Sequence, residues 1–372
     1  MQVKIRTILF LALTVRLLLF VYQYNVGNLP QAGADSVRFE RVAYEISMGT
    51  SGRTFSKAFT QDNAYIHCFI GASIYSIFGR VPELWALLHL FLGIIVVYNI
   101  YRAVLISTES YKIANRSALI ASLFPNFAIF SVILLREIYI HFFISLAAVS
   151  LIKFLKYNKL SSIIYFLLFG VLGSIFHSAV FSILLGFILY TAFLRGKVSW
   201  LYKVFVIVFS IAIFAYINYI GVGLSKFGGS FENALDMAMG EQGVYEHAGS
   251  NYPNWMVSKG GVYAMLLLPV RIVAFLFAPL IPFMVRNLKH IIGIIDSICY
   301  LLILINIVRA WFYHRKSDYS KALLTIVLAF VMVFSFGASN FGTNIRHRAK
   351  VLPVLLSIPL ITKKERYILK HI

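Results

Sequence analysis

The sequence predicts an all-α fold, a polytopic transmembrane helical bundle of about ten spans, and three observations predict it. Hydrophobic residues make up 60% of the 372 and charged residues only 13%, where a soluble domain carries roughly a quarter charged. Mean hydropathy is +0.82, and the apolar residues fall in runs close to the ~20 residues that a helix needs to cross a hydrocarbon core. The basic residues, which set the formal net charge at +20, mostly punctuate those runs. They read first as topology signals, with phosphate or anionic membrane lipids, and not nucleic acid, as partners for the excess charge.

The first run, 5–22, follows Lys4 and carries Arg6 at its start, and it lacks a small-residue cleavage site. It reads as a retained anchor with its N-terminal end in the cytoplasm. Further spans are expected at 82–105, 117–134, 138–155, 160–176, 178–194, 200–222, 291–308 and 322–338, with a shorter one at 351–362. Two apolar segments, 64–79 and 262–285, are ambiguous, and charge decides between readings. If 64–79 crossed the membrane, Arg102, Lys112 and Arg116 would fall outside. That segment also holds His67 and leaves only Gly79-Arg80-Val81-Pro82 before the next run. It is read as a juxtamembrane helix within one long outer loop, 23–81.

The segment 262–285 carries Arg271 between Pro269, Pro279 and Pro282. Proline removes a helix hydrogen bond, and broken backbone at membrane depth is tolerated only against protein or a wet cavity. Read as re-entrant or interfacial, it places Arg309, Arg315, Lys316, Lys321 and the group Lys363, Lys364 and Arg366 inside. Both termini are then cytoplasmic, 223–261 is a second outer loop, and most acidic residues lie outside. No internal repeat and no soluble domain is visible, so residues 1–372 read as a single integral membrane domain. Cys68 and Cys299 lie in separate apolar runs and read as buried thiols.

Four polar clusters come to the outer face on this map. Asp35 stands with Arg38 and Arg41, the two arginines three apart and so on one face of a helix beginning near Ser36. They suit a phosphate; a solvated amphipathic helix on anionic headgroups is the plainer alternative. Arg136-Glu137 sits in a tight turn between apolar stretches, where Glu137 is either a helix N-terminal cap or a second carboxylate that orients an acceptor or a divalent cation opposite Asp35. His177 lies in the next outer turn, as a polar cap or as an acceptor-positioning group together with Arg136 and Arg271. Last, Asn340-Phe-Gly-Thr-Asn-Ile-Arg-His-Arg-Ala-Lys350 is expected to be a flexible turn at the mouth of a late helix. Its Arg346, Arg348 and Lys350, cations on the side where topology disfavours them, suit a lipid phosphate or diphosphate. No Walker loop, Rossmann glycine pattern, HExxH or Asp-x-Asp metal pair occurs. The chain therefore implies no cofactor apart from the divalent cation that Asp35 and Glu137 leave room for.

The order of these motifs resembles the glycosyltransferase C superfamily of polytopic enzymes. The residues that carry the resemblance are Asp35-Ser-Val-Arg-Phe39-Glu-Arg-Val-Ala43, then Ile77-Phe78-Gly79, then Glu137 after Pro125 and Arg136, and finally Arg346-His-Arg348 before Pro353. The resemblance implies a GT-C-like fold in a bacterial inner membrane and transfer of a sugar from a polyprenyl-(di)phosphate donor to a glycan or lipid acceptor at the outer face. In that scheme Asp35 is the base, Glu137 the second acid, and Arg38, Arg41, Arg346, Arg348 and Lys350 hold the donor phosphate. The stretches Leu268-Pro-Val-Arg271 and Ala278-Pro-Leu-Ile-Pro282 are also similar to surface-polysaccharide repeat-unit polymerases of O-antigen or capsule assembly. A flippase or transporter of lipid-linked sugars is the alternative of another class. It expects charges along a central path, whereas Arg16 and Asp296 are the ionisable residues deep in clear spans.

Overall fold

Long apolar runs become long helices. The first, α1, spans Ile5–Asn25 in a computed structural model that describes residues 4–60, 62–196, 252–256, 261–280, 289–337 and 340–365, with 199–201, 203, 204 and 208 besides. Every regular element among the described residues is helical. Among the described residues, five helices are long and apolar enough to cross a membrane: Ile5–Asn25, Pro82–Thr108, Glu137–Tyr157, Ile291–Arg309 and Asp318–Ser335. Most of the run 200–222 and of the loop 223–261 lies outside the described residues. The chain divides into two compact units, Met1–Ser178 and Ala179–Ile372.

In the first unit α1 is followed by α2 (Ala34–Ser47), α3 (Phe55–Thr60) and α4 (Ile66–Phe78). With 13 residues, α4 rises about 20 Å, short of a bilayer core of ~30 Å, in keeping with a juxtamembrane helix. Its anchor to α2 is polar: Arg80 donates to both carboxylate oxygens of Glu40, at 2.9 and 2.7 Å, and the Tyr75 hydroxyl donates to the same group at 3.3 Å. Next come α5 (Pro82–Thr108), opened by proline in its first turn and closed by Glu109 in the left-handed region, and α6 (Tyr111–Leu123).

The expected span 117–134 is not one helix. Proline disfavours the helical conformation of the residue before it, and Phe124 accordingly turns to extended backbone, ending α6. A six-residue α7 (Pro125–Phe130) restarts with Pro125 in its first turn. The broken end is buried against α1, whose Arg16 is fully enclosed, donates to the Ser122 carbonyl at 3.3 Å, and lies 5.1 Å from the Phe127 ring centre. The cation thus meets the negative end of α6. After the turn 131–136, α8 (Glu137–Tyr157) packs along both α5 and α9 (Leu160–Phe176).

The second unit contains α10 (Ser182–Leu189), α11 (Gly261–Phe277), α12 (Lys289–Arg309), α13 (Asp318–Gly337) and α14 (Phe341–Ser357). Two expectations change here. The segment from 262 runs as helix straight through Pro269 as far as Phe277, so its first proline does not break it. The stretch 340–350 is no flexible turn, and the late helix begins ten residues before the expected 351. Asn340 caps it by accepting from the Gly342 and Thr343 amides at 2.7 and 3.3 Å, and a capping side chain of this kind fixes a helix start.

Candidate active site

Three of the four clusters belong to the first unit, and the backbone brings them to one place. Asp35 lies in the first turn of α2, where a carboxylate also suits the helix dipole, and it is half-buried. Its neighbour Ser36 accepts a hydrogen bond from the Leu134 amide at 3.2 Å. That bond pins the start of α2 to the turn that delivers Arg136 and Glu137. Arg136 in turn donates to the Phe176 carbonyl at 3.0 Å, the residue before His177, and to Asn63 Oδ1 at 3.5 Å. Asp35, Arg136, Glu137 and His177, from segments up to 142 positions apart (177 − 35), are therefore joined through one turn.

The members differ in exposure, and exposure separates their roles. Glu137, the first residue of α8, is 1% exposed, whereas Asp35 and His177 are half-buried. Arg38 and Arg41 stand on the open side of α2. Arg38 lies over the Tyr65 ring at 5.2 Å, and Arg41 is 3.6 Å from Glu45 in an exposed pair, which holds it only weakly.

Beneath the turn lies a polar core that the sequence reading missed. Trp85 Nε1 donates to the Tyr139 hydroxyl at 2.9 Å. His89 faces the Ile133 carbonyl with Nδ1 at 2.8 Å and the Tyr139 oxygen with Nε2 at 3.0 Å. A carbonyl only accepts, so Nδ1 carries the proton, and Tyr139 donates to Nε2 while accepting from Trp85. This relay holds Ile133, as Ser36 holds Leu134. His67, fully buried between Phe39 and Trp85 at ring distances of 4.5 and 5.7 Å, stays neutral: burial, with the charge of Arg136 second, pushes its pKa well below the ordinary histidine value. A histidine inside an apolar run, such as His89, was the available signal, since polar groups at membrane depth are costly to keep.

The late cluster, in the second unit, is built differently from the expectation. Arg348 is fully buried and ion-paired with the equally buried Asp296 at 2.7 Å. Its Nε also donates to Asp296 at 3.0 Å, Nη1 to the Leu276 and Ala278 carbonyls at 2.9 and 2.7 Å, and Nη2 to the Gly293 carbonyl at 3.2 Å. A guanidinium has five N–H donors; these hydrogen bonds employ four of them, and Nη2 also lies against the Asp296 carboxylate. Arg348 therefore ties α11, α12 and α14 together, its guanidinium committed to the protein's own carbonyls and carboxylate. Lys350 is fully buried too, with Nζ 2.7 Å from His347 Nδ1. Arg346 is the half-exposed cation of the group. Arg271 is buried in α11, within electrostatic range of the Tyr252 hydroxyl, to which Asn344 donates. Among the described residues no group of three or more His, Cys, Asp or Glu side chains is placed to hold a metal ion.

Comparison with known proteins adds no second line. No family model, no curated protein and no solved structure matches this chain.

Proposed function

We propose that this protein is an integral membrane glycosyltransferase of surface-polysaccharide or glycolipid assembly, moving a sugar from a polyprenyl-(di)phosphate donor to an acceptor hydroxyl at the outer face of a bacterial inner membrane. The observation that carries the reading is the bond from the Leu134 amide to Ser36 Oγ. It pins the helix start that carries the half-buried carboxylate Asp35 to the turn of Arg136 and Glu137, which supports the reading. Ten spans with both termini cytoplasmic belong to the same proposal.

In this mechanism Asp35 takes the proton of the acceptor hydroxyl as its oxygen attacks the anomeric carbon and the phosphate departs with the bonding electrons. General-base assistance of this kind supplies roughly 10²–10⁴-fold. Arg38 and Arg41, exposed on the same helix, receive the departing phosphate, where two guanidinium forks match its oxygens. His177 and Arg136 position the acceptor, and Glu137, 1% exposed, is the second carboxylate behind them. The test is Asp35→Asn in purified, reconstituted protein supplied with a polyprenyl-phosphate sugar. Turnover falls at least 100-fold while elution and melting stay as in the wild type. Near wild-type turnover refutes the assignment of the base.

A further inference from the structure

A second charged site lies at the other end of the first unit, where α5 and α8 finish and α9 begins. The ends of the two helices touch, with Lys156 Nζ donating to the Ile106 carbonyl at 2.8 Å. The same ammonium pairs with Glu109 at 2.5 Å, which uses the acid nearest to this end. Three further cations have no such partner. Arg102 is half-buried on α5 and lies 5.8 Å from the Tyr98 ring centre. Lys153 is half-buried on α8, and the charges within its electrostatic range are Arg102 and Lys159, both positive. Lys159 is exposed in the connection to α9. Among the described residues no hydrogen bond or carboxylate answers these three.

Two plainer explanations fail on position. Cations complement the negative end of a helix within its last turn, which accounts for Lys156, whereas Arg102 lies six residues before Thr108, the end of α5, roughly 9 Å back. Solvated surface lysines need no partner, but Arg102 and Lys153 are half-buried, and Arg102 lies against Tyr98, whose ring stacks on that of Tyr101 with centres 6.3 Å apart. Tyrosines gather at the headgroup level of a membrane. Three mutually repelling cations converge there, from two helices and a loop, and want an anion at headgroup depth.

We propose that Arg102, Lys153 and Lys159 form a binding site for the phosphate of one anionic phospholipid, its acyl chains lying along the exposed Phe91, Ile95 and Tyr98 of α5. This is the face that topology makes cytoplasmic, where basic pockets between spans hold lipid headgroups. The site shares the sidedness of the proposed function but is independent of the glycosyl-transfer chemistry.

The experiment is native mass spectrometry of the full chain in detergent, titrated with phosphatidylglycerol and, separately, phosphatidylcholine of the same acyl chains. The wild type retains phosphatidylglycerol at least tenfold more tightly, each lost cation costing about fivefold. Lys159→Gln, at an exposed position that does not threaten folding, loses about fivefold, and the triple variant R102Q/K153Q/K159Q falls to the phosphatidylcholine level. Glu109→Gln releases Lys156 and strengthens retention, whereas Lys57→Gln in α3 leaves it unchanged. Equal retention of the two lipids, an undiminished preference in both Lys159→Gln and the triple variant, or an equal loss in Lys57→Gln overturns the site. Displacement of the lipid by millimolar inorganic phosphate overturns the lipid assignment in favour of a free phosphate.

Discussion

Asp296→Asn is the most informative single change in the second unit. It leaves the Arg348 cation where it is, at 0% exposure, without the carboxylate that approaches it at 2.7 Å. Removing one partner of a buried pair costs about 3–5 kcal/mol, because the remaining charge stays desolvated. For a unit of this size each kcal/mol moves the melting temperature by roughly 2–4 °C, so a fall on the order of 10 °C follows. The assay is melting of the detergent-solubilised protein, followed by intrinsic fluorescence. In Asp296→Leu/Arg348→Met the buried charges go together, and most of the loss is recovered, since a buried pair is often replaceable by apolar side chains of similar volume. The double variant also separates two roles for Arg348. If the residue holds helices together, the double variant retains transfer activity; if it holds a donor phosphate, the variant is stable and inactive. A melting temperature within ~1 °C of wild type for Asp296→Asn, or a stable but inactive double variant, refutes the structural role assigned to Arg348.

Gly186→Ala in α10 places a methyl carbon 2.4 Å from Ile326 Cα and 3.0 Å from the Thr325 carbonyl oxygen. Backbone cannot yield as a side chain does, so α10 and α13 separate at a cost of about 1–3 kcal/mol or more, seen as a lower melting temperature. Ser36→Ala strips the buried Leu134 amide of its acceptor at about 1–3 kcal/mol; it lowers both melting temperature and transfer, and Ser36→Thr, which keeps the hydroxyl, restores both. His314, buried with Nδ1 2.9 Å from Ser320 Oγ, has its pKa lowered by burial from 6.5 to about 4. Between those values the unfolded chain takes up a proton that the folded chain refuses, so stability is full above the upper value and falls as pH drops through the window, by on the order of 3 kcal/mol. His314→Asn flattens that part of the melting-temperature profile against pH; an unchanged profile sinks the argument.

The helices α1, α5, α8 and α9 were legible because a span is a property of one contiguous stretch, and mean hydropathy reads contiguous stretches. The α6–α7 break was written at Pro125, but a hydropathy window averages over one proline, so 117–134 read as continuous. In the early site, Asp35 and Glu137 were legible as carboxylates that a membrane protein retains only at a cost. Their common turn was not, since it depends on Ser36 meeting an amide 98 positions away.

Composition alone makes this a chain for a membrane: at 60% hydrophobic and 13% charged it has too few polar groups to cover a water-facing surface. Charge order along the chain gave the expected sidedness, and Lys, Arg and acid positions named the candidate residues. What each charge does was decided only by tertiary structure. The run from Arg346 to Lys350 reads in sequence as a phosphate cradle, and what makes Arg348 a buried clamp lies in carbonyls and a carboxylate 52 to 72 residues away. A guanidinium is spent or available according to how many of its five donors are met, and those partners are neighbours in space rather than in sequence.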